Sequence, residues 1–333
     1  MELLTLKNLD KRYLYGADAL NGVCLGLSEG GRLVVFGGAG SGKTTLAKVI
    51  SGLTGITGGE ALYRGEPFAN VGIRERNISA CMPEAFCGRK SVYDNLYRSF
   101  ELRSEGRAGF ESRLREADAF FDFSHMLFKK YKDLNFYERI KAALVRCLLR
   151  DADLYLVDNA FKGLSAIDKR RLLLNAAAYL NLKPGAFIYM TDDIDDARLL
   201  GFETLILNYG SAESCGDILD PKPDGLYAAR TSGFNVIRLG DGGKAVYAAV
   251  APRRSFVAAG GERVDFWGTC ACVSAIDGLP VAYVKGGDGP NDFVAAAIYK
   301  DGVKTPVAIG GQAGVTFDLK DAFYYGADES LLQ

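Results

Sequence analysis

The run Gly37-Gly38-Ala39-Gly40-Ser41-Gly42-Lys43-Thr44 fits the spacing GxxxxGK(S/T) and directly follows the apolar stretch Leu33-Val34-Val35-Phe36. A strand, a glycine-rich turn and a helix therefore come in the order a phosphate-binding loop requires. Glycines let the backbone wrap closely enough for its N–H groups to point at phosphate oxygens. A helix opening near Lys43 and running on through Thr45 to Ile50 adds the positive end of its dipole. Lys43 is expected on the β and γ phosphates of a nucleotide and Thr44 on a Mg²⁺ ion. From Leu3 to about Leu207, short β-rich runs alternate with helical patterns, as in a parallel sheet wrapped by helices.

At 333 residues the chain is long enough for two domains, and its texture changes after that stretch. Gly210 to Asp224 is rich in small and turn-forming residues. Beyond it come short apolar runs at close spacing: Phe234 to Leu239, Ala245 to Val250, Pro280 to Val284, Phe293 to Ile298 and Val315 to Leu319. Strands so spaced predict a small barrel or sandwich, which puts a boundary near residue 212, with one domain over 1–212 and another over 213–333. The stretch from about 84 to 150 is mainly helical, and the charged run Glu111 to Asp118 is expected to be a solvated face.

Forty basic and 41 acidic residues leave a formal charge of -1, so no global field draws the chain to nucleic acid, and no nucleic-acid partner is expected. No apolar run reaches the ~20 residues that cross a bilayer, and Met1-Glu2-Leu3-Leu4-Thr5 lacks the features of a secretion signal, so a cytoplasmic location is expected. The seven cysteines are scattered, without paired CxxC spacing, and are read as reduced thiols. Cys270 and Cys272 alternate in a strand-like stretch and are expected to share one face.

Kinases, GTPases and transport ATPases all use the phosphate loop, so the discriminating residues lie elsewhere. They are Ser51 to Glu60 with its glycine-rich turn, Ser91-Val92-Tyr93-Asp94-Asn95-Leu96, the helix-like Lys141 to Arg150, and the strand Asp153-Leu154-Tyr155-Leu156-Val157-Asp158. In order and spacing these resemble the ATP-binding subunits of ABC transporters, from residue 1 to about 210. The junction Ile218 to Pro223, the run Leu226 to Asn235 and the ending Phe317 to Gly326 are similar to maltose-type carbohydrate importers, in which the junction leads into a β-barrel regulatory domain.

The resemblance implies an α/β P-loop NTPase domain of ABC type, with an antiparallel β subdomain and a helical subdomain, followed by a small all-β, OB-like barrel. It implies ATP and Mg²⁺ as ligands. Gly37 to Thr44, Thr45 and Asp158 would surround the nucleotide, with Thr44, Glu84 and Asp158 near the metal. Tyr13 fits the aromatic that stacks on adenine, with Tyr15 as a competing candidate; base stacking is worth ~1–3 kcal/mol in other systems.

Against the same pattern, Glu84 replaces the Q-loop glutamine, and Leu134-Asn135-Phe136-Tyr137-Glu138 stands where the family reads LSGGQ. Phe136 and Tyr137 put two rings where glycine allows close approach. Asn159 occupies the position of the catalytic glutamate, Gly163-Leu164-Ser165 lacks the D-loop aspartate, with Asp168 too far along to substitute, and Asp192 aligns with the switch histidine. The one histidine, His125, lies in the helical region well before Asp158 and cannot fill that position. An aspartate 4 Å from a γ-phosphate repels it by ~4 kcal/mol at an effective dielectric of 20. Losing a general base typically costs ~10²–10⁴ in rate.

The expectation is therefore a catalytically degenerate subunit that binds ATP, sits on the inner face of a membrane through permease subunits, and pairs with a second ABC ATPase subunit. Phe86 and Tyr93 are candidate permease contacts or core. Two alternatives stand beside it: a slow homodimeric ATPase in which Asp192, Asp193 or Glu84 has taken a catalytic role, and a soluble ATP sensor acting without a permease.

Overall fold

The computed structural model describes residues 1–14, 16, 18–81, 86–101, 106–217, 221–238, 245, 247–258, 264–276, 279–286, 293–299, 311–320, 322–325, 328 and 331–332. The chain divides into two compact units, residues 1–212 with 216–220 and residues 213–215 with 221–333.

In chain order the strands of the first unit are β1 (Glu2–Arg12), β2 (Asp18–Ser28), β3 (Arg32–Phe36), β4 (Gly58–Tyr63), β5 (Glu66–Pro67), β6 (Ile78–Cys81), β7 (Leu154–Asp158), β8 (Ala186–Thr191), β9 (Glu203–Asn208) and β10 (Ser211–Asp217). Its helices are α1 (Lys43–Ile50), α2 (Val92–Glu101), α3 (Gly106–Phe121), α4 (Phe136–Leu149), α5 (Ala166–Leu180) and α6 (Ile194–Leu200). Six strands form a sheet in the order β10-β9-β3-β8-β7-β6, and β6, β7, β8, β3 and β9 run parallel. All six residues of β8 are buried, because it lies between β3 and β7 with helices covering the faces; hence its run of apolar residues without alternation. β2 instead alternates, burying Leu20, Val23, Leu25 and Leu27, and joins β1, β4 and β5 in an antiparallel sheet with one wet face. Leu46, Val49 and Ile50 of α1 share one apolar cluster with these strands, each such side chain contributing ~1.5–3 kcal/mol on burial.

Helices α2, α3 and α4 form the helical subdomain, its interior filled by Phe100, Phe110, Phe121 and Phe123. The run Glu111 to Asp118 is only in part the solvated face expected: Ser112 and Arg115 are exposed, while Leu114 and Ala117 are buried. Arg113 pairs with Asp151 and Glu116, and the fully buried Lys183 ammonium lies 3.1 Å from Asp151 and 3.9 Å from Glu116. Partners distant in sequence turn that face into an ion-paired seam, which a local charge pattern cannot reveal. Among the described residues no helix is long and apolar enough to cross a membrane.

The second unit holds α7 (Leu226–Thr231) and the strands β11 (Asn235–Arg238), β12 (Tyr247–Val250), β13 (Ser255–Val257), β14 (Phe266–Ile276), β15 (Leu279–Gly286), β16 (Phe293–Ile298), β17 (Gln312–Phe317) and β18 (Phe323–Tyr325). Five of them close into the barrel β13-β16-β15-β14-β17, the strand count of an OB-like barrel, around Val257, Ala282, Val284, Ala295 and Val315. The expected strand Val315 to Leu319 ends early, at Phe317: the Asp318 carboxylate accepts from the Lys320 N–H at 3.0 Å, an Asx turn that stops the ladder. The pairing of β14 with β15 shifts register between Cys270 and Cys272.

Candidate nucleotide-binding site

The loop after β3 is held on two sides. The Gly37 N–H donates to the Thr191 carbonyl at the end of β8 at 3.1 Å, and the Gly210 N–H, in the turn between β9 and β10, donates to the Ser41 carbonyl at 2.9 Å. That turn is itself tied to β2 by the Asn21 N–H bond to the Gly210 carbonyl, 2.9 Å. Gly42 has φ +106, and a Cβ there would stand 2.5 Å from the Ala19 carbonyl, so only glycine fits. α1 then begins at Lys43 with no acidic residue in its first turn and no side-chain cap, leaving its first N–H groups and positive dipole end to an anion. Gly38, Ala39 and Gly40 are exposed at the mouth, and Thr45, in the first turn of α1, is half-buried.

Lys43 is 7% exposed and folds back on its own loop. Its ammonium donates to the Gly37 carbonyl at 2.5 Å, the Gly38 carbonyl at 2.8 Å and Ser41 Oγ at 3.2 Å. Burial lowers its pKa, Asp192 and Asp158 oppose that, and Lys162 reinforces it. Burial pushes the Asp158 carboxyl up, against a hydrogen bond from Thr44 and the charges of Lys43 and Lys48. Asp158 Oδ1 is buried without a hydrogen-bond partner. A hydroxyl and a carboxylate with one unused buried oxygen form the donor set of a hard, oxygen-ligated dication, so Thr44 and Asp158 fit Mg²⁺. Glu84 and Tyr15 lie outside the described residues.

Tyr13 is 42% exposed on the wall of a cleft of about 690 Å³, with the Lys11 ammonium 5.1 Å from its ring centre. Leu20, on the same wall, also reaches 3.0 Å from where a Gly42 Cβ would stand, so the cleft adjoins the phosphate loop. Its volume is in the range of small-ligand pockets.

Asn159 follows β7 with φ +46, a left-handed conformation that asparagine tolerates better than most residues, and its N–H donates to the Met190 carbonyl at 2.9 Å. Asp192, exposed after β8, pairs with Lys162 at 3.3 Å. Asp193 turns to other work: it caps α6 by accepting from the Asp195 N–H at 3.0 Å and pairs with Lys169. Asp168 stays in the cap of α5, where Ser165 Oγ accepts from its N–H at 3.1 Å.

Leu134 to Glu138 opens α4. Asn135 Oδ1 accepts from the Glu138 N–H at 2.9 Å while Glu138 accepts from the Asn135 N–H at 3.0 Å, a capping box. Glu138 is also held by Lys129 at 2.7 Å, and His125, in the short turn before, lies 3.9 Å away. The Tyr137 ring faces the Lys141 ammonium at 5.0 Å, and the exposed Phe136 ring stands 3.5 Å from where a Gly163 Cβ would be. The spacing Asn-x-x-Glu signals this cap in the sequence; the Lys162–Asp192 pair, thirty residues apart, has no such local signal.

Residues 20–162 match the family model described as ABC transporter. The chain is 27% identical over 221 residues to the sn-glycerol-3-phosphate import ATP-binding protein UgpC of Cupriavidus pinatubonensis, covering 66% of this chain and 60% of that protein. It is 28% identical to the protein of the same name from Psychromonas ingrahamii, covering 66% and 59%. The chain thus spans about 60% of the length of the curated relatives it matches. In fold it is similar to cbiO1 from Clostridium perfringens, part of the ABC transporter complex cbiONQ, with TM-score 0.57, 20% identity and 65% and 88% of the two chains covered. A bacterial ABC transporter cassette solved as a dimer gives TM-score 0.56 at 20% identity, covering 64% and 98%. With its phosphate loop at the end of β3 and its antiparallel and helical subdomains, the N-terminal unit has the fold of the ATP-binding cassettes of ABC transporters, and residues 20–162 within it match that family's model.

Proposed function

We propose that this chain is the ATP-binding subunit of an ABC importer of carbohydrate type, binding ATP with Mg²⁺ but hydrolysing it weakly by itself. One observation carries the reading: Lys43, Thr44 and Asp158 are assembled for a nucleotide, while the next residue after Asp158 is an amide, Asn159, which offers no carboxylate to accept a proton from water. The relatives' names, which specify import of a phosphorylated polyol, support a small polar solute as cargo. In this reading permease subunits hold the cassette on the inner face of the membrane. An exposed aromatic face suits that contact: Phe128, 83% exposed, stacks 6.2 Å from Tyr93, which lies 6.4 Å from Tyr97. Phe86 is less suited, since it is half-buried against Tyr131 and Arg146. A second ABC ATPase subunit then supplies the signature segment over Lys43, and the rings of Phe136 and Tyr137 weaken this chain's reciprocal contribution.

The test is ATP affinity and ATP turnover measured on the same purified chain, with Lys43→Ala as the loop control. Micromolar binding with no turnover above the control is the expected result. Turnover that vanishes with Lys43→Ala overturns the degenerate reading in favour of a slow homodimeric ATPase. ATP binding without co-purifying membrane subunits favours a soluble sensor.

A further inference from the structure

We propose that Lys162 is a second phosphate-binding cation of the nucleotide site, held by Asp192 until the terminal phosphate of a nucleoside triphosphate displaces that carboxylate. The inference rests on the reading that the loop binds ATP, and goes beyond it by naming a residue that separates triphosphate from diphosphate.

The loop carrying Lys162 is anchored on both sides. Before it, Phe161 is buried and packs 5.7 Å from the Tyr189 ring. After it, Gly163 has φ +88 and lies under the Phe136 ring. Two turn bonds close the segment, from the Lys162 N–H to the Asn159 carbonyl at 3.3 Å and from the Leu164 N–H to the Phe161 carbonyl at 3.2 Å. So fixed, the side chain reaches across to Asp192, 3.3 Å away.

Asp192 marks the mouth of the phosphate loop, because its neighbour Thr191 accepts the bond from Gly37 that starts the loop. Phe36 and Thr191 are also register partners across β3 and β8. The Lys43 ammonium senses both members of the pair, Asp192 favouring its charge and Lys162 opposing it. Lys43, Asp158, Lys162 and Asp192 together sum to zero charge. A terminal phosphate arriving here meets Asp192 as a like charge, and Lys162 is the cation positioned to offset it. The pair is cheap to open, since the Lys162 side chain is 69% exposed and exposed ion pairs are weak. A phosphate, with more charge and three acceptor oxygens, is the stronger partner for an ammonium than a carboxylate. A diphosphate ends short of this position and leaves the pair closed.

The experiment measures Mg²⁺-ATP and Mg²⁺-ADP dissociation constants for the full chain and for Lys162→Met, Lys162→Arg and Asp192→Asn, with melting curves to show that each variant folds. Lys162→Met is expected to weaken ATP about tenfold, a charge-assisted bond discounted for exposure, and to change ADP less than about twofold. Lys162→Arg should restore most of the loss, and Asp192→Asn should tighten ATP. An ATP-to-ADP ratio unchanged by Lys162→Met, in a wild-type chain that binds ATP, overturns the assignment alone. A wild-type chain that binds neither nucleotide overturns the reading beneath it as well.

Discussion

Asp196→Ala is the substitution whose cost the structure defines most fully. The carboxylate is 3% exposed and serves three donors: the Tyr189 hydroxyl at 2.9 Å, the Thr191 hydroxyl at 2.7 Å and the Lys169 ammonium at 2.8 Å. Removing it leaves both hydroxyls buried without that acceptor, each costing ~1–3 kcal/mol, whereas Lys169 retains Asp193. The sum, about 4 kcal/mol, falls in the range for breaking a buried ion pair. For a unit of this size each kcal/mol lowers the melting point by ~2–4 °C, so a fall of about 8–16 °C is expected. Urea unfolding followed by helical circular dichroism reads the first unit, which holds α1 to α6. Asp196→Asn, which keeps an acceptor oxygen, should lose about half as much. A loss under about 1 kcal/mol for Asp196→Ala at unchanged denaturant slope would refute the claim that these hydroxyls depend on this carboxylate.

Gly42→Ala should abolish ATP binding and lower the melting point, since a Cβ at φ +106 meets the Ala19 carbonyl at 2.5 Å; retained affinity in a titration would show that the loop can move aside. The hydrogen bond from Lys129, and with it the Asn135 N–H, holds the Glu138 carboxyl below its usual range. A depressed folded-state value means that its stabilisation is present above the unfolded carboxylate pKa of ~4.3 and disappears as pH falls below that, so the melting-point gap between wild type and Glu138→Gln should close in acid. Burial pushes the Cys147 thiol up to about 11, so in native thiol labelling mapped by mass spectrometry Cys24 and Cys87, both exposed, should react well before Cys147. Equal labelling rates would mean that the β6–α4 seam around Cys147 opens readily.

The phosphate loop is legible in the sequence because its chemistry is local: strand, glycines, lysine and helix follow without a break from Leu33 to Ile50. β8 and β7 are legible as buried parallel strands for the same reason, each being an apolar run that ends on a polar residue. What depends on residues meeting across the fold is not. The seam of Arg113, Glu116, Asp151 and Lys183 reads as ordinary surface charge until α3 is packed, and nothing near Asp192 announces Lys162. Leu134 to Glu138 was legible in a different sense: aligned to a family motif it reads as damage, whereas its own spacing specifies a helix start with reciprocal caps.

That capping box decides what else the start of α4 can do. A helix end attracts an outside anion only while its first amides point at solvent unpaired and its dipole end carries no negative neighbour. At α4 one of those amides is engaged by Asn135, and the Glu138 carboxylate stands where an incoming phosphate would have to sit. The helix has become its own ligand. Exchanging Phe136 and Tyr137 for glycine would therefore clear space without restoring affinity for phosphate, and only release of Asn135 and Glu138 as well would turn this end outward again.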